Sequence, residues 1–430
     1  MNKTKETFVF GFAIFAAFFG AGNLILPPFL GMNAGPDWWL VALGFITSAT
    51  IIPLLALLGH ARLQGTMMDF GKKVSPWFSL IFCLCVYAIA VGLPSPRTAA
   101  VTYEMAIMPY FESTPALPLL TSSIYFALVF LFVMNRNNVL QILGKYLTPL
   151  IGIILLAIII IGIFSSVDTV EASLYETPVL SGFMEGYQTY DALAGLLTGG
   201  IVIISLNITG GVSYEDRRKI IARSGIIAML GLFIIYAGMI AVGAKYNSLF
   251  SEDIIRTELL KGLAGTTLGN IGATFLSVLV ALACFTTAVG ITVGTADFFK
   301  GLFKGSQKAY IITTLIACIL GVLMGQMDVH YIIDVALPAL MFIYPLAVVL
   351  IVLNVLPERL ATKTVFRLVV LVAFVFSIPD FLGMLFKNAE WINTVKSIIP
   401  FADKNLGWAL PAILAFLLAN IIGNKKEKEA

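Results

Sequence analysis

Phe18-Phe19-Gly20-Ala21-Gly22-Asn23-Leu24-Ile25-Leu26-Pro27-Pro28 interrupts the first long apolar run of the chain with glycines, an asparagine and two prolines. The run from 8 to 32 is long enough to cross a bilayer, where every backbone polar group needs a partner inside the protein. Two glycines one residue apart let a helix unwind at mid-depth. The prolines are expected in the first turn of a new half-helix, whose N–H groups have no intrahelical partner in any case. Unwound backbone at that depth is tolerated only where it lines a cavity or is buried in protein, and a discontinuous helix is the usual way that transporters build a mid-membrane site. A kinked structural helix, packed through small residues, accounts for the same stretch.

The rest of the chain says in which solvent to place this break. Of 430 residues 59% are hydrophobic and 12% charged, against roughly a quarter charged in a soluble domain. This is an all-α integral membrane protein. A net charge of +3 and the lack of a basic face with interleaved aromatics exclude a nucleic-acid partner. Cys83, Cys85, Cys284 and Cys318 all lie in apolar runs, which implies neither a disulfide framework nor a zinc site. Lys3 and Lys5 ahead of an apolar run imitate a secretory signal, but no small-residue cleavage motif closes the run, so it reads as an uncleaved first span.

Apolar windows fall at 8–32, 38–61, 77–110, 118–135, 146–165, 184–211, 224–244, 267–299, 309–326, 331–356, 364–386 and 406–424, which predicts twelve spans and leaves no room for a soluble domain. With the N-terminus in the cytoplasm, only Lys245, Arg256, Lys261, Lys387, Lys396 and Lys404 of the 27 Lys and Arg fall outside. Arg97 stays within the membrane, and all the others, Arg136 among them, are cytoplasmic. That segregation supports the span count and two cytoplasmic termini. The loop between spans five and six carries Asp168, Glu171, Glu176 and Glu185 and no base; it reads as a solvated loop or as a cation-attracting vestibule.

Span six is interrupted in its turn, by Gly186-Tyr187-Gln188-Thr189-Tyr190-Asp191-Ala192-Leu193-Ala194-Gly195. Breaks five spans apart imply a repeat with an odd number of spans, whose second copy inserts upside down. Spans one to five (about 8–165) and six to ten (about 184–356) then form an inverted repeat, with two further spans at about 364–424 in one domain, 1–430. A site forms where two such broken helices of opposite direction meet.

Other polar groups at membrane depth are candidates by default. Arg97, in Gly92-Leu93-Pro94-Ser95-Pro96-Arg97-Thr98, sits where prolines break span three; it reads as part of the permeation path or as an ion pair with Glu104 or Asp191. On span eight Ala283, Thr286 and Thr287 share a helical face, so a carbonyl and two hydroxyls suit an alkali cation, or the threonines bond back to their own helix. Asp297, Asp334 and Asp380, with His60 and His330, are placed at span ends, the acids in reach of interfacial water. With no other histidine, a membrane-embedded enzyme built on a His-based metal site or a Ser-His-Asp triad cannot be assembled.

Four segments together, Gly20 to Pro28, Pro96-Arg97-Thr98-Ala99, Gly186 to Ala194 and Phe285-Thr286-Thr287-Ala288-Val289-Gly290, resemble the bacterial branched-chain amino acid:cation symporters over essentially the whole chain. That family is part of the amino acid-polyamine-organocation superfamily, and the resemblance implies the leucine-transporter fold: a five-plus-five inverted repeat with helices one and six discontinuous. It implies import of leucine, isoleucine or valine with Na+ or H+ across the bacterial inner membrane, with no cofactor and no obligate protein partner. Carried over by position, the substrate carboxylate meets the N–H groups of Ala21 and Gly22, and the amine faces carbonyls freed among Tyr190, Asp191, Ala192, Leu193 and Ala194. A sodium ion is placed between the carbonyls of Ala16 and Phe19 and the Ala283, Thr286 and Thr287 oxygens, and Asn23 matches a ligand of a second ion site. The flanking Phe18, Phe19, Leu24 and Leu193 suit an apolar side chain. A proline-broken span three bearing Arg97 departs from the wider fold.

Overall fold

The computed structural model describes all residues except 1–2, 113, 136–138, 168, 209–212, 387–388 and 430, so Asp168, Arg136 and Lys387 lie outside the described residues. Its helices, in chain order, are α1 Lys3–Phe18, α2 Ala21–Ala34, α3 Trp38–Ile46, α4 Ile52–Leu63, α5 Met67–Phe70, α6 Pro76–Gly92, α7 Pro94–Thr102, α8 Leu117–Asn135 and α9 Val139–Phe164. They continue as α10 Pro178–Tyr187, α11 Asp191–Ile208, α12 Tyr214–Lys245, α13 Arg256–Leu302, α14 Gln307–Gly325, α15 Val329–Val355, α16 Lys363–Leu385, α17 Glu390–Ile398 and α18 Ala409–Glu429. Each expected span has its helix. The amphipathic α17 is an addition.

Nine helical stretches among the described residues are long and apolar enough to cross a bilayer, and Glu6–Phe18 and Ala409–Ile422 are shorter apolar helices. Length alone therefore does not return twelve crossings. The breaks cut spans one and six into half-helices, and Gly22–Leu63 joins the second half of span one to span two as one continuous stretch.

The interruptions have local causes. After Phe18 the Phe19 N–H donates to the Ala16 carbonyl (3.3 Å) and the Gly20 N–H to that of Phe18 (2.9 Å), a tight turn that ends in extended backbone at Gly20. The residues actually unwound are Phe19 and Gly20, while Gly22 already lies in α2. Pro27 and Pro28 are likewise not in the first turn of α2 but further along inside it. There the absent proline N–H groups release the carbonyls of Asn23 and Leu24, four residues back, from the helical ladder. In spans two and three the helix widens to π geometry at Thr47–Ile51 and Tyr103–Ile107, just ahead of Pro53 and Pro109; the extra residue absorbs the bond that each proline cannot make. In α13 the left-handed Gly269 (φ 74°) separates a leading helix from span eight.

Packing around the breaks is reciprocal. Half-helices α1 and α10 lie along the beginnings of spans seven and two (α12 and α3), and α2 and α11 along their ends (α12 and α4). At two of these seams the backbones touch. A Cβ on Gly31 would lie 2.7 Å from the Ile240 carbonyl carbon, and one on Gly243 2.8 Å from that of Pro28, while Gly44 and Gly182 are related in the same way to Val179 and Val41 at 2.9 Å. Small residues that let main chains approach are the usual currency of helix association in lipid. Gly243→Ala should therefore destabilise the protein by about 1–3 kcal/mol, read as a lower melting temperature in detergent; an unchanged melting temperature would remove the α2–α12 seam from this account.

Candidate functional site

The two breaks meet in the interior. The α2 N-terminus has no side-chain cap, so the N–H groups of its first turn, beginning at Ala21 and Gly22, point at the junction with the positive end of the helix dipole behind them. From the other side comes the α10–α11 connection, where Gln188, Thr189 and Tyr190 close short turns onto the Glu185, Gly186 and Tyr187 carbonyls at 3.0, 3.3 and 3.1 Å. Tyr190 has left-handed backbone (φ 64°), and α11 starts at once with Asp191.

That start corrects the expected source of carbonyls. Asp191, Ala192, Leu193 and Ala194 form the first turn of α11, and the Tyr190 carbonyl is taken by the Ala194 N–H at 2.8 Å. A helix N-terminus leaves N–H groups without partners, not carbonyls. The carbonyls at the end of α10 are taken by the turn itself, and that of Gln188 by Arg97. Ala192 and Leu193 are buried, and Leu193 packs in the cluster that holds Tyr187, Tyr190 and Tyr344.

Asp191 is at the centre of a buried network. Asn23 Nδ2 donates to both of its carboxylate oxygens (2.9 and 2.8 Å), and the Tyr236 hydroxyl of α12 donates to Oδ2 (2.9 Å) while accepting from Asn23. Thus Asn23, singled out for a second ion, ties the first break to the second, with the Asn23 Oδ1 turned towards Gly20. Tyr236 escaped the reading of the sequence because one tyrosine in an apolar span carries no periodic signal.

Arg97 does not pair with either acid proposed for it. Its Nη1 donates to the Gln188 carbonyl (2.8 Å), its guanidinium carbon lies 5.1 Å from the centre of the Tyr190 ring, and its Nη2 rests against Gly22. Glu104 instead accepts from the Thr257 hydroxyl (2.6 Å) and from the Val329 N–H at the start of α15 (2.9 Å). The prolines set this up: the helix restarts at Pro94 after Leu93, and the new axis of α7 carries Arg97 to the junction.

On span eight the face holding Ala283, Thr286 and Thr287 turns inward. Thr287 stands against the first break, since a Cβ on Gly20 would lie 3.6 Å from its Cγ2 and 3.8 Å from its Oγ1. Both threonine hydroxyls donate to the Ala283 carbonyl at 2.9 Å. The Ala16 carbonyl receives the Phe19 N–H, and Phe19 is buried with its ring stacked on Phe15 at 5.0 Å. A hydroxyl that donates within its helix keeps its lone pairs, so the threonine oxygens still suit a hard cation.

Two polar groups placed at span ends prove to be interior. Asp380 is fully buried, 3.5 Å from Lys396 and accepting from the Gly407 N–H at 3.2 Å. His60 is fully buried between the carbonyls of Gly65 and Leu196, each at 2.9 Å. Glu185 meets Arg256 at 3.4 Å, and the Arg256 guanidinium lies 4.5 Å from the centre of the Phe29 ring, which closes the far end of α2. A cavity of about 760 Å³ between α6, α13 and α14, lined by Tyr87, Val91, Thr295, Phe299 and Ile312, does not reach the breaks.

Two discontinuous helices meeting inside an all-helical membrane bundle are the architecture of carriers with the leucine-transporter fold. Solved structures agree: an inward-facing Mhp1 superposes with a TM-score of 0.60 over 98% of this chain and 91% of its own at 13% identity. MhsT in complex with L-phenylalanine gives 0.56 over 96% and 97% at 17% identity. Residues 3–426 match the model of the branched-chain amino acid transport protein family, and the chain belongs to that family. It is 33% identical, over 100% of its length and 99% of the relative's, to the branched-chain amino acid transport system 2 carrier protein of Pseudomonas aeruginosa. A putative branched-chain amino acid carrier protein of Staphylococcus aureus is 32% identical over 97% of each chain.

Proposed function

We propose that this chain is a secondary active symporter that carries leucine, isoleucine and valine inward with a cation, Na+ by preference, by alternating access. One observation carries the reading: the uncapped N-terminus of α2 faces the α10–α11 break, with Thr287 of α13 set against the same turn. The N–H groups of Ala21 and Gly22 serve the substrate carboxylate, the polar edge of the second break around Tyr190 and Asp191 serves the amine, and Leu24 and Leu193 flank the apolar tail. Sodium is assigned to Ala16, Phe19, Ala283, Thr286 and Thr287. The repeats at about 8–165 and 184–356, with the added spans at about 364–424, are the bodies that move against each other in the bacterial inner membrane. The segregation of Lys and Arg supports cytoplasmic termini.

The test is leucine uptake into proteoliposomes with Na+ and pH gradients imposed separately, challenged with each common amino acid and with nucleobases. Uptake driven by Na+ and inhibited by isoleucine and valine is the expected result; inhibition by a nucleobase instead would reassign the substrate. Removing one hydroxyl ligand costs about 1–3 kcal/mol of ion binding, roughly a 5- to 150-fold rise in the cation needed for half-maximal uptake. Thr286→Ala and Thr287→Ala should show that shift, with leucine affinity recovered at saturating cation, while Thr287→Ser stays mild. Unchanged cation dependence in both alanine variants removes the ion from span eight. A proton-coupled reading is favoured by one feature, the buried Asp191 carboxylate between the breaks, and uptake that answers to pH alone selects it.

A further inference from the structure

We propose that Arg97 is the carboxylate-recognising group of this carrier, its Nε edge receiving the α-carboxylate of the substrate against the N-terminus of α2; the assignment rests on the amino acid reading above. A guanidinium stays charged in proteins, and in the membrane interior a charge requires a partner. Among the described residues no carboxylate supplies one, since Asp191 is turned to Asn23 and Tyr236 and Glu104 to Thr257 and Val329. Arg97 is almost wholly buried, and its Nε has no hydrogen-bond partner.

The guanidinium is nonetheless held in one orientation. The Gln188 carbonyl takes Nη1 and the Tyr190 ring covers one face, which fixes the fork and leaves the Nε edge to recognise something else. Side-on pairing through Nε and Nη2 is a bidentate geometry suited to a carboxylate. Gly22 completes the arrangement: without a side chain, it lets the guanidinium lie against the first turn of α2, and a Cβ there would lie 2.9 Å from the Arg97 Cζ. A guanidinium and the positive end of a helix repel each other until an anion lies between them. A carboxylate paired side-on with the guanidinium keeps lone pairs for the helix N–H groups, and it arrives and leaves with the substrate. The ligand class is thus a small monocarboxylate with an apolar tail, and an amide or an amine of the same shape is discriminated against.

The experiment is competition against radiolabelled leucine on the full-length protein in detergent, using unlabelled leucine and leucinamide, for wild type, Arg97→Gln and Arg97→Lys. Wild type should prefer leucine over leucinamide by about 100-fold or more, as expected when a buried charge loses its partner. Arg97→Gln should lose about 100-fold in leucine affinity and little in leucinamide affinity, which collapses the preference; its melting temperature should no longer rise with leucine. If Arg97→Gln does not fold, Arg97→Lys is decisive: a point charge in place of the fork should cut the preference about tenfold. A preference unchanged in a folded variant overturns the role of Arg97 and leaves the transport reading standing. Failure of wild type to bind leucine overturns that reading and this assignment with it.

Discussion

Gly22→Val should abolish leucine binding while leaving a folded, monodisperse protein. The added side chain lands on the Arg97 guanidinium, the movable end of a long side chain, so the bundle itself does not have to open. What moves is the fork: it is driven from the Gln188 carbonyl and the Tyr190 ring, and the α2 N–H groups are screened at the same time. Displacing a recognition group by about 1 Å is worth on the order of 100-fold, so equilibrium binding should fall by at least that much, and Gly22→Ala should lie between the variant and wild type. Near-normal leucine binding by Gly22→Val would remove the carboxylate from this end of α2.

Asp191→Ala should both stop uptake and lower stability. Its carboxylate is the acceptor for the Asn23 amide and the Tyr236 hydroxyl, and each buried polar group left without a partner costs about 1–3 kcal/mol. Three elements, α2, α11 and α12, lose their common hydrogen-bonded centre. The check that separates this network from general damage is a double-mutant cycle on thermal stability in detergent. Asn23→Ala should cost less in the Asp191→Ala background than in wild type, with a coupling of about 0.5–3 kcal/mol. Additive effects would show that the two side chains, although in contact, do not act together.

The breaks themselves were legible because glycine and proline act on the backbone locally, whatever surrounds them. Their detail was not: Gly20 to Gly22 and Pro27-Pro28 announce an irregular helix, but which residues leave the helix depends on how α2 seats against α12, and the prolines end up inside α2. Charge sorting put Glu185 and Arg256 on one side of the membrane, yet their pairing over Phe29 is set by tertiary packing. In the sequence Arg97 reads as part of the path or as a partner of Glu104 or Asp191, and the fold brings it to neither acid. Glu104 is near it in sequence, whereas Gln188 and Gly22 are near it only in the fold. Asp380 and His60 look like interfacial groups in a one-dimensional hydropathy reading, and only the packing of α17 and α11 around them makes them interior.

The glycine seams of α2 with α12 and α3 with α10 differ in kind from the contacts at the opposite ends of the same helices. Main chain pressed on main chain has no torsions to change, so these seams can neither loosen gradually nor take up an alternative set of rotamers. At the other ends the contacts run largely through side chains, Ile227 of α12 against Gly11 of α1 and His60 of α4 against Gly199 of α11. Contact is thus of two kinds along each broken span: a half that meets its neighbour main chain to main chain is joined through the broken turn to a half that meets it largely through side chains.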